Sequence, residues 1–131
     1  VRSKLLLVLL LLSIATPAFA AYGPNNEECW TNPTTNTDGT PLTDLAGNRL
    51  YAGKASGAYT IIKDVVLSAM PGGRCLAGEV GVLLGSLGMT TGTWYIAVTA
   101  YNSAGTESGY SNEVTVPFDA ASPKSPTNAV R

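Results

Sequence analysis

The sequence predicts an all-β Greek-key sandwich, and three observations predict it. Trp94 to Tyr101 and Tyr110 to Val116 are alternating, β-branched and aromatic runs flanking a small-residue turn, Asn102 to Gly109. That is the pattern of a long hairpin with one buried face. Trp94, Ile96, Val98 and Ala100 share a face of the first run, and Val114, Val116 and Phe118 share a face of the second. Five or six short apolar runs recur between turn signals along the chain, and none has a helical period. Charged residues are only 13% of the chain while Gly, Thr, Ser and Asn abound, a composition suited to turn-rich β structure.

Val1 to Ala20 has the layout of an export signal. Arg2 and Lys4 open it, Leu5 to Ile14 is its apolar core, and Ala18-Phe19-Ala20 supplies a small-x-small cleavage site. The apolar core is half the length of the roughly 20 residues that a membrane span needs, and Pro17 follows it closely. Cleavage after Ala20 would leave 111 of the 131 residues, enough for a single modest core. It would also take the basic count from 8 to 6 against 9 acidic residues, a net charge of −3. Without a basic stripe, such a chain is a poor match for nucleic acid or, once its leader is gone, for a membrane. The expected location is secreted, periplasmic or at the cell surface. Outside the cytosol the default state of the only two cysteines, Cys29 and Cys75, is a disulfide, the alternative being two free or buried thiols. The bridge would add at most about 4 kcal/mol in the chain-entropy picture.

The remaining elements follow in order. Glu27 to Thr31 is a short strand that buries Trp30, and Asn32 to Asp44 is a loop with Asp38-Gly39 as its turn. Leu45 to Ala52 returns as a strand ending at Gly53, and Lys54 to Gly57 connects it tightly to a third strand, Ala58 to Leu67. Met70 to Gly73 is a break, Leu76 to Leu84 another strand, and Gly85 to Thr93 leads into the hairpin. From Asp119 to Arg131 the composition shifts to Ala, Ser, Pro, Lys and Asn without periodicity, which predicts a disordered tail.

Trp30 to Pro33, Thr34 to Gly47 and the Trp94 to Val116 hairpin together resemble a bacterial fibronectin type III domain. The resemblance spans Glu27 to Phe118. It implies an immunoglobulin-like sandwich in which Glu27 to Thr31 is strand B, Leu45 to Ala52 is C, Ala58 to Leu67 is C′, Leu76 to Leu84 is E, and the hairpin is F and G. Four departures stand out. Trp94 takes the place of the family's corner Tyr at the start of F, with Tyr95 facing the other way, and Met89 stands for the turn Leu. Asn48 and Ala52 replace larger apolar groups on C, which predicts a thin core there. Val65 to Gly78 is longer than the usual connection and carries Cys75; the family layout brings the end of B and the start of E toward one pole, within reach of a Cys29–Cys75 bridge. Finally, only Ala21 to Asn26 precede strand B, too few for a paired strand A. Strand A is therefore expected to be short or missing, leaving the B edge open to a partner strand, such as one from a second copy, unless Pro24, Glu27, Glu28 and the disulfide blunt it.

The chemistry of the side chains points away from catalysis. There is no histidine, which removes Ser-His-Asp and Cys-His triads, His-ligated zinc and the commonest general base at neutral pH. Gly47 to Ala55 superficially resembles a phosphate-binding loop, but it has five residues between its glycines and Ala55 where a Ser or Thr must follow Lys54. Asn36, Asp38 and Asp44 offer oxygen ligands without the spacing of a calcium loop. The nine carboxylates (Glu27, Glu28, Asp38, Asp44, Asp64, Glu79, Glu107, Glu113 and Asp119) are scattered, whereas a glycosidase opposes two across a cleft. No cofactor, metal or catalytic residue is expected.

Two surfaces remain as binding candidates. The loops Thr34 to Thr40 and Asn102 to Gly109 should project from one pole, offering Asn36, Thr37, Asp38, Gly39, Asn102, Ser103, Gly105 and Glu107. The outward face of the first hairpin strand carries Tyr95, Thr99 and Tyr101 with Ala97 as a gap, unless Tyr59 and Ile61 pack over it. The resemblance implies a non-enzymatic binding or structural module, for adhesion, cell-surface or extracellular protein contact, with a protein partner or self-association through the open edge. The alternative is a carbohydrate-associated module or a small carboxylate-based glycan hydrolase, with a glycan as ligand.

Overall fold

The computed structural model describes residues 21–67, 73–121, 123 and 126–131. The export signal and residues 70–72 of the expected break lie outside them. Among the described residues six strands form two antiparallel sheets of a β-sandwich: β1 (Glu27–Trp30), β2 (Leu45–Gly53), β3 (Ile61–Val66), β4 (Val80–Leu83), β5 (Gly92–Asn102) and β6 (Val114–Phe118). The smaller sheet pairs β1 with β4, and the larger runs β3-β2-β5-β6.

Period-two alternation fills the space between the sheets. Leu50 and Ala52 of β2, Trp94, Ile96 and Val98 of β5, and Val116 and Phe118 of β6 meet Val82 of β4 and Leu84, Leu87 and Met89 beyond it. Trp30 and Val114 pack on their margin. Asn48 and Ala52 of β2, where larger apolar groups were expected, are both fully enclosed. Asn48 is held there by its amide, which donates to the Thr99 carbonyl oxygen at 3.0 Å. Trp94 is tied back to the turn before it, its indole N–H donating to the Thr90 carbonyl at 2.7 Å.

Cys29 and Cys75 are disulfide-bonded, with Cα atoms 5.7 Å apart. The bridge crosses β4 at Gly81, where a Cβ would lie 2.5 Å from Cys75 Sγ and 2.7 Å from the Glu28 carbonyl oxygen. Only glycine leaves that space. No helix among the described residues is long and apolar enough to cross a membrane.

Several elements differ from their sequence outlines. The third strand begins at Ile61, not Ala58, because Ala58 turns back on Ala55, donating its N–H to that carbonyl at 3.1 Å. The fourth is cut to Val80–Leu83. Leu76 to Glu79 forms a turn closed by Glu79 N–H to the Leu76 carbonyl at 3.0 Å, with Gly78 at φ +85°, and Leu84–Leu87 is a 3₁₀ turn. The return arm of the hairpin becomes regular only at Val114. Before that, Tyr101 faces Glu107, Ser108 donates to the Ala100 carbonyl, Ser111 donates to the Val98 carbonyl, and Val114 faces Ile96. The return arm thus spends two more residues than β5 over this stretch, the signature of two bulges. Serine hydroxyls fill the ladder there: Ala100 N–H donates to Ser108 Oγ and Val98 N–H to Ser111 Oγ, both at 2.9 Å.

Among the described residues no strand precedes β1. Instead Tyr22 makes a parallel bridge to Phe118 at the edge of β6, with Tyr22 N–H to the Pro117 carbonyl at 2.7 Å and Asp119 N–H to the Tyr22 carbonyl at 2.9 Å. After Phe118 the described residues form no regular element.

Candidate functional site

The two loops singled out at the pole meet in the structure. Asn36 to Thr40 is a tight turn, closed by Asn36 N–H to the Thr40 carbonyl at 2.8 Å and by Gly39 N–H to the Asn36 carbonyl at 3.0 Å. Asp38 caps it, accepting from Thr40 N–H at 3.0 Å and Thr40 Oγ1 at 2.6 Å, bonds that hold its carboxyl below the usual range. Gly39 supplies the left-handed residue, φ +86°. Across from it, Asn102 to Thr106 turns the hairpin. Gly105 N–H donates to the Asn102 carbonyl at 2.9 Å, and Thr106 N–H to Asn102 Oδ1 at 2.9 Å, with Gly105 at φ +82°. The Ser103 N–H bond to the Asp44 carbonyl, 2.9 Å, clamps the two loops together.

Between them lies a cleft of about 410 Å³. Pro33, Leu42 and Leu45 give it apolar lining, and Asn36, Thr37, Asn102 and Thr106 give it polar groups. Tyr101 and Glu107 close its inner side. Glu107 receives Thr99 Oγ1 at 2.6 Å, Arg49 Nη1 at 2.6 Å, and the Tyr51 hydroxyl. The Thr99 and Tyr51 hydroxyls, then Arg49, hold its carboxyl below the ordinary glutamate range. An ionised carboxylate so fully engaged anchors the loop and is not a free base. Arg49 also lies over the Tyr101 ring, 5.1 Å from its centroid.

Of the residues expected at this pole, Asn36, Thr37, Asn102 and Glu107 line the cleft, joined by Tyr101 from the expected aromatic face. Asp38, Gly39, Ser103 and Gly105 build its turns and clamp without lining it. Tyr95 is elsewhere, flanked by Gly53 and Thr115. It shares no continuous stripe with Tyr101, because Ala97 and Thr99 between them are buried. Of the residues considered as a cover for that face, Ile61 packs on the core instead and Tyr59 lies against Tyr51, while Asp64 of β3 meets the Tyr101 hydroxyl and Glu107 reaches back to Thr99.

The aromatic cluster of this face is a different one. Tyr51, Tyr59 and Tyr110 lie with ring centroids 5.0 to 5.9 Å apart, and Tyr110 is 59% exposed. Glu113 ties it to the β2–β3 connection, accepting from Ser56 Oγ at 2.6 Å, Tyr59 Oη at 2.7 Å and Gly57 N–H at 3.0 Å. The Glu113 carboxylate pushes the Tyr59 phenol up to about 12. Alternation in β2 shows Arg49 and Tyr51 facing outward together, but the sequence carries no sign that Tyr110 joins them. The one group of potential metal ligands among the described residues is Glu27, Cys29 and Cys75, and its sulfurs are bonded to each other.

No family model, curated protein or solved structure matches this chain.

Proposed function

We propose that the chain is an exported, non-enzymatic binding module of the fibronectin type III kind, which offers the pole cleft to a protein partner outside the cytoplasm. The observation that carries this reading is the cleft itself: two loops remote in sequence, locked to each other by Ser103 and Asp44 and to the sheet by Glu107. Loops pre-ordered on a rigid sheet lose little freedom on binding, which favours recognition. The sheet orders β1-β4 and β3-β2-β5-β6 support the family reading, being those expected for strands B and E opposite C′, C, F and G. The Trp94 bond to the Thr90 carbonyl supplies the tie of a corner Tyr. The disulfide suits an oxidising compartment.

The test is site-specific photo-crosslinking in the producing culture, with the crosslinker at Thr37 or Asn102 and, as control, at exposed Ser86 in the turn before β5. A discrete adduct is expected from both pole positions and not from the control. Adducts that are absent from the pole, or identical at all three positions, would reject the reading.

One observation favours a second reading, a carbohydrate-associated module: the exposed Tyr110 ring on the Tyr51–Tyr59 cluster, a surface on which a sugar ring can stack. Glycan binding lost in Tyr110→Ala with the fold intact would select it. The full engagement of Glu107 and Glu113 speaks against a hydrolase at either place.

A further inference from the structure

The side of the sandwich between β1 and β6 carries a second cleft, of about 280 Å³, which shares no residue with the one at the pole. Strand edges form both of its rims. Among the described residues β1 pairs only with β4, and the Leu84 N–H bond to the Asn26 carbonyl sets the phase of that pairing. Glu28 and Trp30 then face Val82 and Val80 as hydrogen-bonded pairs, so the N–H and C=O groups of Glu27 and Cys29 point away from the sheet. On the opposite rim Tyr22 occupies the β6 edge at Pro117 and Asp119, and the same alternation turns the Thr115 backbone outward. Among the described residues, none of these outward N–H groups has a hydrogen-bond partner. The apolar lining is Leu84, Val114 and Val116.

Glu28 selects the occupant. Alternation puts it on the face of Trp30, which packs on the core, so its carboxyl projects into the cleft. Among the described residues it has no hydrogen bond and no Lys or Arg lines the cleft. Burial without a partner pushes it up to about 7. A second copy of β1 would bring its own Glu27 and Glu28 into the same space, adding like charge. A strand carrying a cation would instead complete the edge and neutralise the carboxylate, and a Lys stem would lie along the apolar lining.

We propose that this cleft accepts an extended segment of a partner protein, paired along β1, with a Lys or Arg side chain beside Glu28 and apolar neighbours over Leu84 and Val116. Main-chain bonds to Glu27 and Cys29 would provide affinity, and Glu28 the choice of residue. The surface is independent of the pole cleft, so either can fail alone.

The exported protein is titrated with two short peptides of alternating Thr and Val, one with a central Lys and one with a central Glu, and amide exchange is followed by NMR. The Lys peptide should slow exchange at Glu27 and Cys29 and bind at least about tenfold tighter than the Glu peptide, the minimum expected when a desolvated charge gains its counter-ion. Glu28→Gln should abolish that preference, while Thr37→Arg at the pole should leave it intact. Unchanged exchange at Glu27 and Cys29 up to millimolar Lys peptide, or equal affinity of the two peptides, would overturn the proposal. Protection of those amides in the free protein, with a mass that grows with concentration, would overturn it in favour of a second copy.

Discussion

Glu28 and Glu107 are both glutamates at strand or loop positions facing partly inward, and their surroundings push them in opposite directions. Glu107 has three donors and is held below the ordinary range. Glu28 has lost water and gained nothing, and rises from 4.5 to about 7. The consequence is a pH dependence of stability with a definite sign. A carboxyl whose folded pKa exceeds its unfolded one favours the folded state fully below the unfolded value, and that contribution is lost as pH rises through the folded value. Stability should therefore fall between about pH 5 and pH 8, by at most about 3 kcal/mol from this group. Glu107, Glu113 and Asp38, all shifted down, act only at lower pH, where acidification removes their contribution. Urea midpoints at pH 5 and pH 8 check this: the wild type should be more stable at pH 5, and Glu28→Gln should lose that difference.

The segment from Glu107 to Glu113 decides how the large sheet is dressed. Its two bulges shift the alternation, so that Tyr110 comes to rest against Tyr51 and Tyr59. The ladder survives because Ser108 and Ser111 accept the β5 amides that a regular strand would have bonded through carbonyls. Ser111→Ala leaves the Val98 N–H without its acceptor, at a site where Val98 is buried. A loss of about 1–3 kcal/mol is expected, the cost of an unsatisfied buried donor. It is read by urea denaturation, with faster exchange of the Val98 amide as the local signature.

For the whole molecule, the weak point is the smaller sheet. β1 has four residues and, among the described residues, one neighbour, and the Cys29–Cys75 bridge ties it to the chain leading into β4. The bridge closes a separation of 46 residues, so its reduction should cost about 2–4 kcal/mol. The Glu28 and Trp30 amides, whose bonds to β4 depend on that tie, should be exposed to exchange before those of β5. Denaturation with and without reductant, followed by exchange under native conditions, measures both. Equal stability in the two states would mean that β1 is held by Trp30 packing alone.

What the chain determined locally was strand character and facing. Two-residue alternation in Leu45 to Ala52 and Trp94 to Tyr101 assigns Leu50, Ile96 and Val98 to the interior, because a pleated backbone sends successive side chains to opposite sides. The turn residues at Asp38-Gly39 and Gly105 were legible for a similar reason, since turn chemistry acts over three or four residues. The bulges, the tyrosine cluster and the state of Glu28 were not legible. Whether a serine hydroxyl replaces a carbonyl depends on the register of a partner strand, and Tyr110 meets Tyr51 only once that register has slipped twice. Glu28 resembles any exposed strand glutamate until Leu84, Val114 and Val116 close around it. Desolvation and register are properties of residues brought together from distant parts of the chain, and only the folded arrangement sets them.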